Sequence, residues 1–351
     1  MKAVRLHGRE DLRIEDVPAP AAPGPGQIRL RNGFVGICGS DLHLLAHPEA
    51  SPVDLFTPHP ITGGHLPQTL GHEFSGTVAE VGPGVDGIAV GDRGAIFPVA
   101  YSCGECVACR HGEPTTCRLM ASLGTNANGG GMSESVTISA SQFHPVPASV
   151  SLQQAALVEP MAVAWHGVSR SRATAEDTAL ILGAGPIGIG TWYALRAYGV
   201  VDVLISEPNP DRRARVAALG ATVIDPLTED VNDAVAELTD GDGVTIAYDA
   251  AGVPAALESA LAALAPGGRA VLMSPHEAGF EIQPGAIMMG EYELIGSVGY
   301  TPAEFDGVIA RMAAGDYDTT GWVEEMGLDD APAAIERLTE GAGTKILLRV
   351  R

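Results

Sequence analysis

Hydrophobic and polar positions divide this chain into two regions of different period. Up to about residue 150, short β-type runs such as Gln27 to Asn32, Phe74 to Val81 and Ser135 to Ile138 stand between turn signals rich in Gly and Pro. Such spacing predicts a small, irregular β-domain. From about residue 177 the pattern changes to short, largely apolar runs separated by amphipathic stretches: Ala179 to Leu182, Val201 to Ser206, Val244 to Tyr248, Ala270 to Met273 and Glu293 to Ile295. Buried parallel strands linked by helices read this way, because both faces of the sheet are covered and strict alternation is lost. Two further helix-like stretches, Pro302 to Ala314 and Ala331 to Thr339, precede a mostly apolar run, Ile346 to Val350, that suits a terminal strand returning to the first domain. The expected class is α/β, and at about 150 residues per domain the length calls for two units.

Composition removes several function classes. Hydrophobic residues make up 46% and charged residues 18%, ordinary for a folded chain and unlike a disordered one. The formal charge is −22, and Lys2 and Lys345 are the two lysines. Without a basic stripe to neutralise phosphates, neither nucleic acid nor a membrane surface is an expected partner. The start of the chain, Met1-Lys2-Ala3-Val4-Arg5-Leu6, has no long apolar segment, and no run of about 18 apolar residues occurs, so a cytoplasmic location is expected. Four of the five cysteines lie in the fifteen residues from Cys103 to Cys117, which in a reducing compartment points to metal before disulfides.

A dinucleotide fingerprint stands in its proper context. Gly183-Ala184-Gly185-Pro186-Ile187-Gly188 follows the Ala179 to Leu182 run and opens the helical stretch Ile187 to Tyr198. Gly183 and Gly185 permit a tight turn and close backbone approach, the helix start after Pro186, from Ile187 onward, offers free N–H groups to a pyrophosphate, and Gly188 lets helix and strand pack closely. Glu207 ends the next strand, nineteen residues after Gly188. There a carboxylate accepts hydrogen bonds from ribose hydroxyls and repels a 2′-phosphate, which favours NAD. Arg212, a candidate cofactor contact, and Arg213 lie near enough to leave NADP open. A glycine-rich turn without a nucleotide is the plainer alternative.

The spacing Cys103-x2-Cys106-x2-Cys109-x7-Cys117 supplies four thiolates, enough for a closed tetrahedral site with no place for water, the mark of a structural zinc. Cys38 stands apart in Gly36-Ile37-Cys38-Gly39-Ser40-Asp41-Leu42-His43, and Gly71-His72-Glu73 forms a second site-like string. A catalytic zinc takes about three protein ligands and keeps one position open. Taken singly, however, Cys38 reads as a small buried hydrophobe and His72 as an ordinary core histidine.

In combination these features resemble a family. Cys38, the Gly71-His72-Glu73 triplet, the four-cysteine lobe and the later glycine motif occur in the order found in zinc-dependent medium-chain dehydrogenases, over essentially the whole chain. Cys38 to His43, Leu157-Val158-Glu159-Pro160, Gly296-Ser297-Val298-Gly299-Tyr300 and the segment from His43 to Gly71 look most like the 2,3-butanediol branch, with sorbitol dehydrogenases next.

The resemblance implies a GroES-like β catalytic domain, residues 1–156 and 299–351, around a Rossmann NAD-binding domain with a doubly wound parallel sheet, residues 157–298, and an active site in the cleft between them. It implies a catalytic zinc held by Cys38 and His72, with Glu159 as third ligand and Glu73 in or just behind the coordination shell. For Glu159 a helix N-terminal carboxylate beside Pro160 is the competing reading. Asp41 would orient the His72 ring, with a turn-stabilising role as the alternative. Ser40 would pass the proton of the alcohol through the cofactor ribose toward His43, which can release it to solvent. The implied reaction transfers hydride from a secondary alcohol or vicinal diol, 2,3-butanediol giving acetoin, to NAD, in a homodimer or homotetramer. A polyol dehydrogenase of the sorbitol or xylitol type would keep every assignment, and a zinc- and dinucleotide-binding redox sensor without turnover is the remaining class.

Overall fold

In the computed structural model, which describes residues 1–49, 53–276 and 278–350, the Gln27–Gly36 strand organises the first unit. Its inward residues Ile28, Leu30 and Val35 are fully buried while Gln27 and Arg31 face solvent, the alternation of an antiparallel sheet covered on one face. Each such buried aliphatic side chain contributes about 1.5–3 kcal/mol. The seven-stranded sheet runs Phe143–Pro145, Arg93–Ile96, Glu73–Val81, Gln27–Gly36, Lys345–Arg349, Val323–Gly327, with Ser135–Ser139 also paired to Gln27–Gly36. The terminal strand returns to this unit: Leu347 pairs with Gly36 and Leu348 with Val35 in antiparallel register. Phe74, Ile96, Met132, Ile346 and Leu348 fill the core behind the sheet.

The second unit is a six-stranded, all-parallel sheet in the order Thr222–Ile224, Val203–Ser206, Ala179–Leu182, Val244–Asp249, Leu264–Leu272, Glu293–Gly296. Chain order reverses between Ala179–Leu182 and Val244–Asp249, the switch point of a doubly wound fold, where carboxyl ends of strands leave a crevice for a ligand. The connecting helices start on local chemistry. Asn209 caps Pro210–Ala218 by accepting the N–H groups of Asp211 and Arg212, and Asp230 does the same for Val231–Leu238. The expected strand from Val201 begins two residues later, at Val203, because Val201 is exposed.

The compact units comprise Met1–Glu159, Thr301–Ala314 and Val323–Arg351 on one side, and Pro160–Tyr300 with Gly315–Trp322 on the other. Gly315–Trp322 thus departs from the expected assignment of 299–351 to the first domain. A hydrogen bond to the second unit ties it there: the backbone oxygen of Asp318 accepts from Tyr193 Oη at 2.6 Å, while Trp322 Nε1 donates to the same oxygen at 2.8 Å and folds the segment on itself. Among the described residues no helix is long and apolar enough to cross a membrane.

Candidate metal centres and dinucleotide site

Strand register brings the separated strings of the first unit together. Gly36 lies opposite Glu73 in the antiparallel pair, so Cys38, two residues beyond the first strand, comes alongside His72, one residue before the second. Cys38 adopts extended backbone and caps the Gly39–Ala46 helix; its N–H donates to Asp41 Oδ2 at 2.9 Å. The donor atoms of Cys38, His72 and Glu73 all lie within 4.8 Å of one another. Ser40 Oγ is 3.2 Å from His72 Nε2, and Asp41 Oδ1 faces His72 Nδ1 at 3.7 Å, both of the latter atoms buried without a hydrogen-bond partner. Burial by itself would lower the pKa of His72, but Asp41 and Cys38 outweigh it and hold that pKa well above the ordinary histidine value. Convergent acidic donors around a buried imidazole make a place suited to positive charge, and thiolate, imidazole and carboxylate fit zinc.

Glu73 is itself matched. Its carboxylate pairs with the ammonium of Lys345, both almost fully buried, and Lys345 Nζ also donates to the backbone oxygen of Ile37 at 2.9 Å. Burial opposes the charged form of Lys345, while Glu73, Cys38 and Glu159 outweigh it and keep its pKa above the usual lysine value. The ion pair occupies the space where a side chain on Gly36 would be, since a Cβ there would strike Glu73 Oε2 and approach Lys345 Cε to 2.9 Å. Glu159 lies in the first turn of the Val158–Ser171 helix, 9% exposed, outside the three-residue donor group but close enough to act on Lys345. Helix N-terminal placement and nearness to the site therefore coexist for this residue. His43 is exposed one turn after Ser40, its ring centroid 5.5 Å from that of His47.

The four thiols of Cys103, Cys106, Cys109 and Cys117 form the second group, again within 4.8 Å, and all are free of disulfides. Backbone N–H groups already point at sulfur: Cys103 donates to Cys117 Sγ at 3.3 Å, Cys106 to Cys103 Sγ at 3.3 Å and Leu119 to Cys117 Sγ at 3.4 Å. The N–H groups of Glu105 and Cys106 lower the Cys103 thiol to about 6, whereas burial and neighbouring thiols push Cys109 up to about 11. Amide-supported thiolates closing on one point fit a tetrahedral zinc.

In the second unit, the Pro186–Ala197 helix begins at the switch point with Gly185 at its N-cap and no side chain on its first N–H groups, which leaves them for an anion. Gly188 is required by packing, because a Cβ there would collide with the Gly183 carbonyl. A cavity of about 840 Å³ opens from this turn, lined by Gly183, Gly185, Glu207, Arg212, Asp230 and Ala251 among others. Glu207, 3% exposed, accepts from Ala184 N at 2.7 Å and from Asn209 N at 2.8 Å. The two arginines divide: Arg213 is tied to the oxygens of Glu207 and Pro208 and to Asp225, while Arg212 lies on the cavity wall with a buried, unpartnered Nε. Sequence reading overlooked Lys345 as a site neighbour, although a lone lysine opening an apolar terminal run was a signal, and it overlooked the Asp249–His276 pair, for which no local signal exists.

Comparison with known proteins adds the decisive observation. The model of the alcohol dehydrogenase GroES-like domain matches residues 24–148 and that of the zinc-binding dehydrogenases residues 186–314. An (R,R)-butanediol dehydrogenase from Bacillus subtilis is 39% identical over 333 residues, covering 94% of this chain and 93% of its own length. The chain belongs to the zinc-dependent alcohol dehydrogenase family. Family membership extends to structure: the crystal structure of 2R,3R-butanediol dehydrogenase from Bacillus subtilis superposes with a TM-score of 0.91 at 36% identity, covering 100% of this chain and 99% of the other. A sorbitol dehydrogenase from Bacillus subtilis is 31% identical over 340 residues, 96% of this chain and 93% of its own. As a zinc-dependent alcohol dehydrogenase the protein is an oxidoreductase acting on a small molecule, with zinc and a nicotinamide dinucleotide as cofactors, and its architecture is a GroES-like domain with a Rossmann sheet.

Proposed function

We propose that this dehydrogenase interconverts a vicinal secondary diol and its hydroxyketone, 2,3-butanediol and acetoin, with NAD. The observation that carries this reading is the 39% identity to an (R,R)-butanediol dehydrogenase across 94% of the chain. Cys38, His72 and either Glu73 or Glu159 would hold the catalytic zinc, and the four-cysteine lobe a structural one. Bound zinc supplies Lewis acidity that lowers the pKa of the alcohol. Ser40 Oγ, beside His72, would accept the alcohol proton as it gives up its own toward His43, exposed on the same helix and able to release a proton to water. Asp41 holds the His72 ring. The test is kcat/KM with NAD for 2,3-butanediol against 2-butanol and sorbitol. A site that hydrogen-bonds the second hydroxyl should discriminate against 2-butanol by about 10²-fold or more. Equal efficiency with 2-butanol would overturn the diol reading, and preference for sorbitol would establish the polyol alternative, which the 31% identity to a sorbitol dehydrogenase supports.

Glu207 is the proposed determinant of NAD over NADP. Its carboxylate is fixed by two backbone donors at the end of the Val203–Ser206 strand, so it cannot swing away from a 2′-phosphate without leaving Ala184 N and Asn209 N unpaired. Glu207→Ser is expected to shift the NADP to NAD ratio of kcat/KM toward NADP by about tenfold or more, with Arg212 available to the phosphate. An unchanged ratio would refute this role.

The enzyme is further proposed to be a cytoplasmic homodimer or homotetramer. Glu293–Gly296 is an edge strand of the parallel sheet, and Met288, Met289 and Val298 beside it are 70%, 79% and 62% exposed, a combination of open sheet edge and apolar surface that invites association. Light scattering that returns a monomer mass at micromolar concentration would refute it.

A further inference from the structure

Beyond the switch point from Glu207, the carboxyl edge of the parallel sheet carries an ion pair that none of the roles above uses. Asp249 ends the Val244–Asp249 strand, in register with Leu182 on one side and Leu272 on the other, and is 1% exposed. Its Oδ1 accepts the N–H groups of Ala251 at 3.0 Å and Gly252 at 2.9 Å. Its Oδ2 lies 2.5 Å from Nε2 of His276, in the loop after Leu264–Leu272. The turn held in this way forms cavity wall: Ala250 and Ala251 line it together with Gly183, Gly185 and Glu207. Turn and loop are also in close contact, since a Cβ on Gly252, at φ +69°, would stand 2.5 Å from the Pro275 oxygen. The other ring nitrogen of His276, Nδ1, is buried without a hydrogen-bond partner, so the Nε2 contact orients the ring.

We propose that His276 is a positioning residue for the dinucleotide: by donating Nε2–H to Asp249 it completes the donor set of that carboxylate and fixes the Ala250–Gly252 turn against which the cofactor lies. This rests on the dinucleotide reading of the cavity. An ionised carboxylate only accepts hydrogen bonds, and a buried one stripped of a donor recovers it by moving or by admitting water. The groups that would move with it are the two turn N–H groups, and the cavity wall with them.

Calorimetric binding of ADP-ribose to zinc-loaded protein tests this without turnover. His276→Phe is expected to weaken binding about tenfold and His276→Gln, which keeps a side-chain N–H donor, less than about threefold, with zinc content unchanged in both. A packing role predicts the reverse order, because Phe preserves the ring and Gln does not. Wild-type affinity in His276→Phe, or equal loss in both variants, would overturn the proposal. Should His276→Phe be recovered unfolded, His276→Ala removes the donor without a new ring and is held to the same tenfold expectation. Failure of the wild type to bind ADP-ribose would instead refute the dinucleotide reading itself.

Discussion

Replacing His72 with alanine is expected to lower kcat/KM by at least about 10³-fold while leaving ADP-ribose affinity unchanged. The magnitude follows from what the centre supplies: Lewis-acid stabilisation of a developing alkoxide is worth several kcal/mol, and about 4 kcal/mol corresponds to three decades of rate. His72 is one of the three residues whose donor atoms converge within 4.8 Å, and it contacts Ser40 at 3.2 Å, so its removal takes both a ligand and the neighbour of the proposed proton acceptor. The glycine turn and the cysteine lobe are built from other residues. Metal analysis should fall from two zinc ions per chain to one, the remaining ion being lost only when Cys103 is also changed. A His72→Ala protein that retains both ions, or that turns over within tenfold of the wild type, would remove His72 from the centre.

The second large effect is on stability. Lys345→Met should destabilise the protein by about 3–5 kcal/mol, the cost of leaving one member of a buried ion pair uncompensated. Glu73 and Lys345 are 1% and 2% exposed at their side chains, so solvent cannot take over the charge that is stranded. The double variant Glu73→Gln, Lys345→Met should recover most of that loss, because a buried pair replaced as a whole costs far less than one that is broken. Urea unfolding of the four members of this cycle measures the coupling. Additive effects would mean that the pair does not act as a unit, and stability of Lys345→Met within about 1 kcal/mol of the wild type would mean that Glu73 is compensated by another group.

What the sequence by itself determined is the chemistry whose members lie close along the chain. Four cysteines within fifteen residues can reach one point whatever the rest of the fold does, and the structure closes them into one group. The glycine turn is equally local: strand, tight turn and helix are consecutive, their period is readable, and a parallel sheet follows from that alternation, whereas the strand order that puts a switch point beside Gly183 is seen only in the structure. Cys38 and His72, 34 residues apart, were legible as a site only through resemblance to a family, because nothing in either string states which strands pair. Tertiary structure decided that through the Gly36 to Glu73 register. It alone set Lys345 against Glu73 across 272 residues, tied Arg213 to the backbone while leaving Arg212 on the cavity wall, moved Gly315–Trp322 to the second unit and joined His276 to Asp249. The physical reason is the same in each case. A short segment fixes its own turns, caps and periodicity by local sterics and hydrogen bonds, whereas partners distant in sequence are chosen by sheet register and burial, where an unpaired charge or donor is costly enough to select one arrangement from many that the local pattern allows.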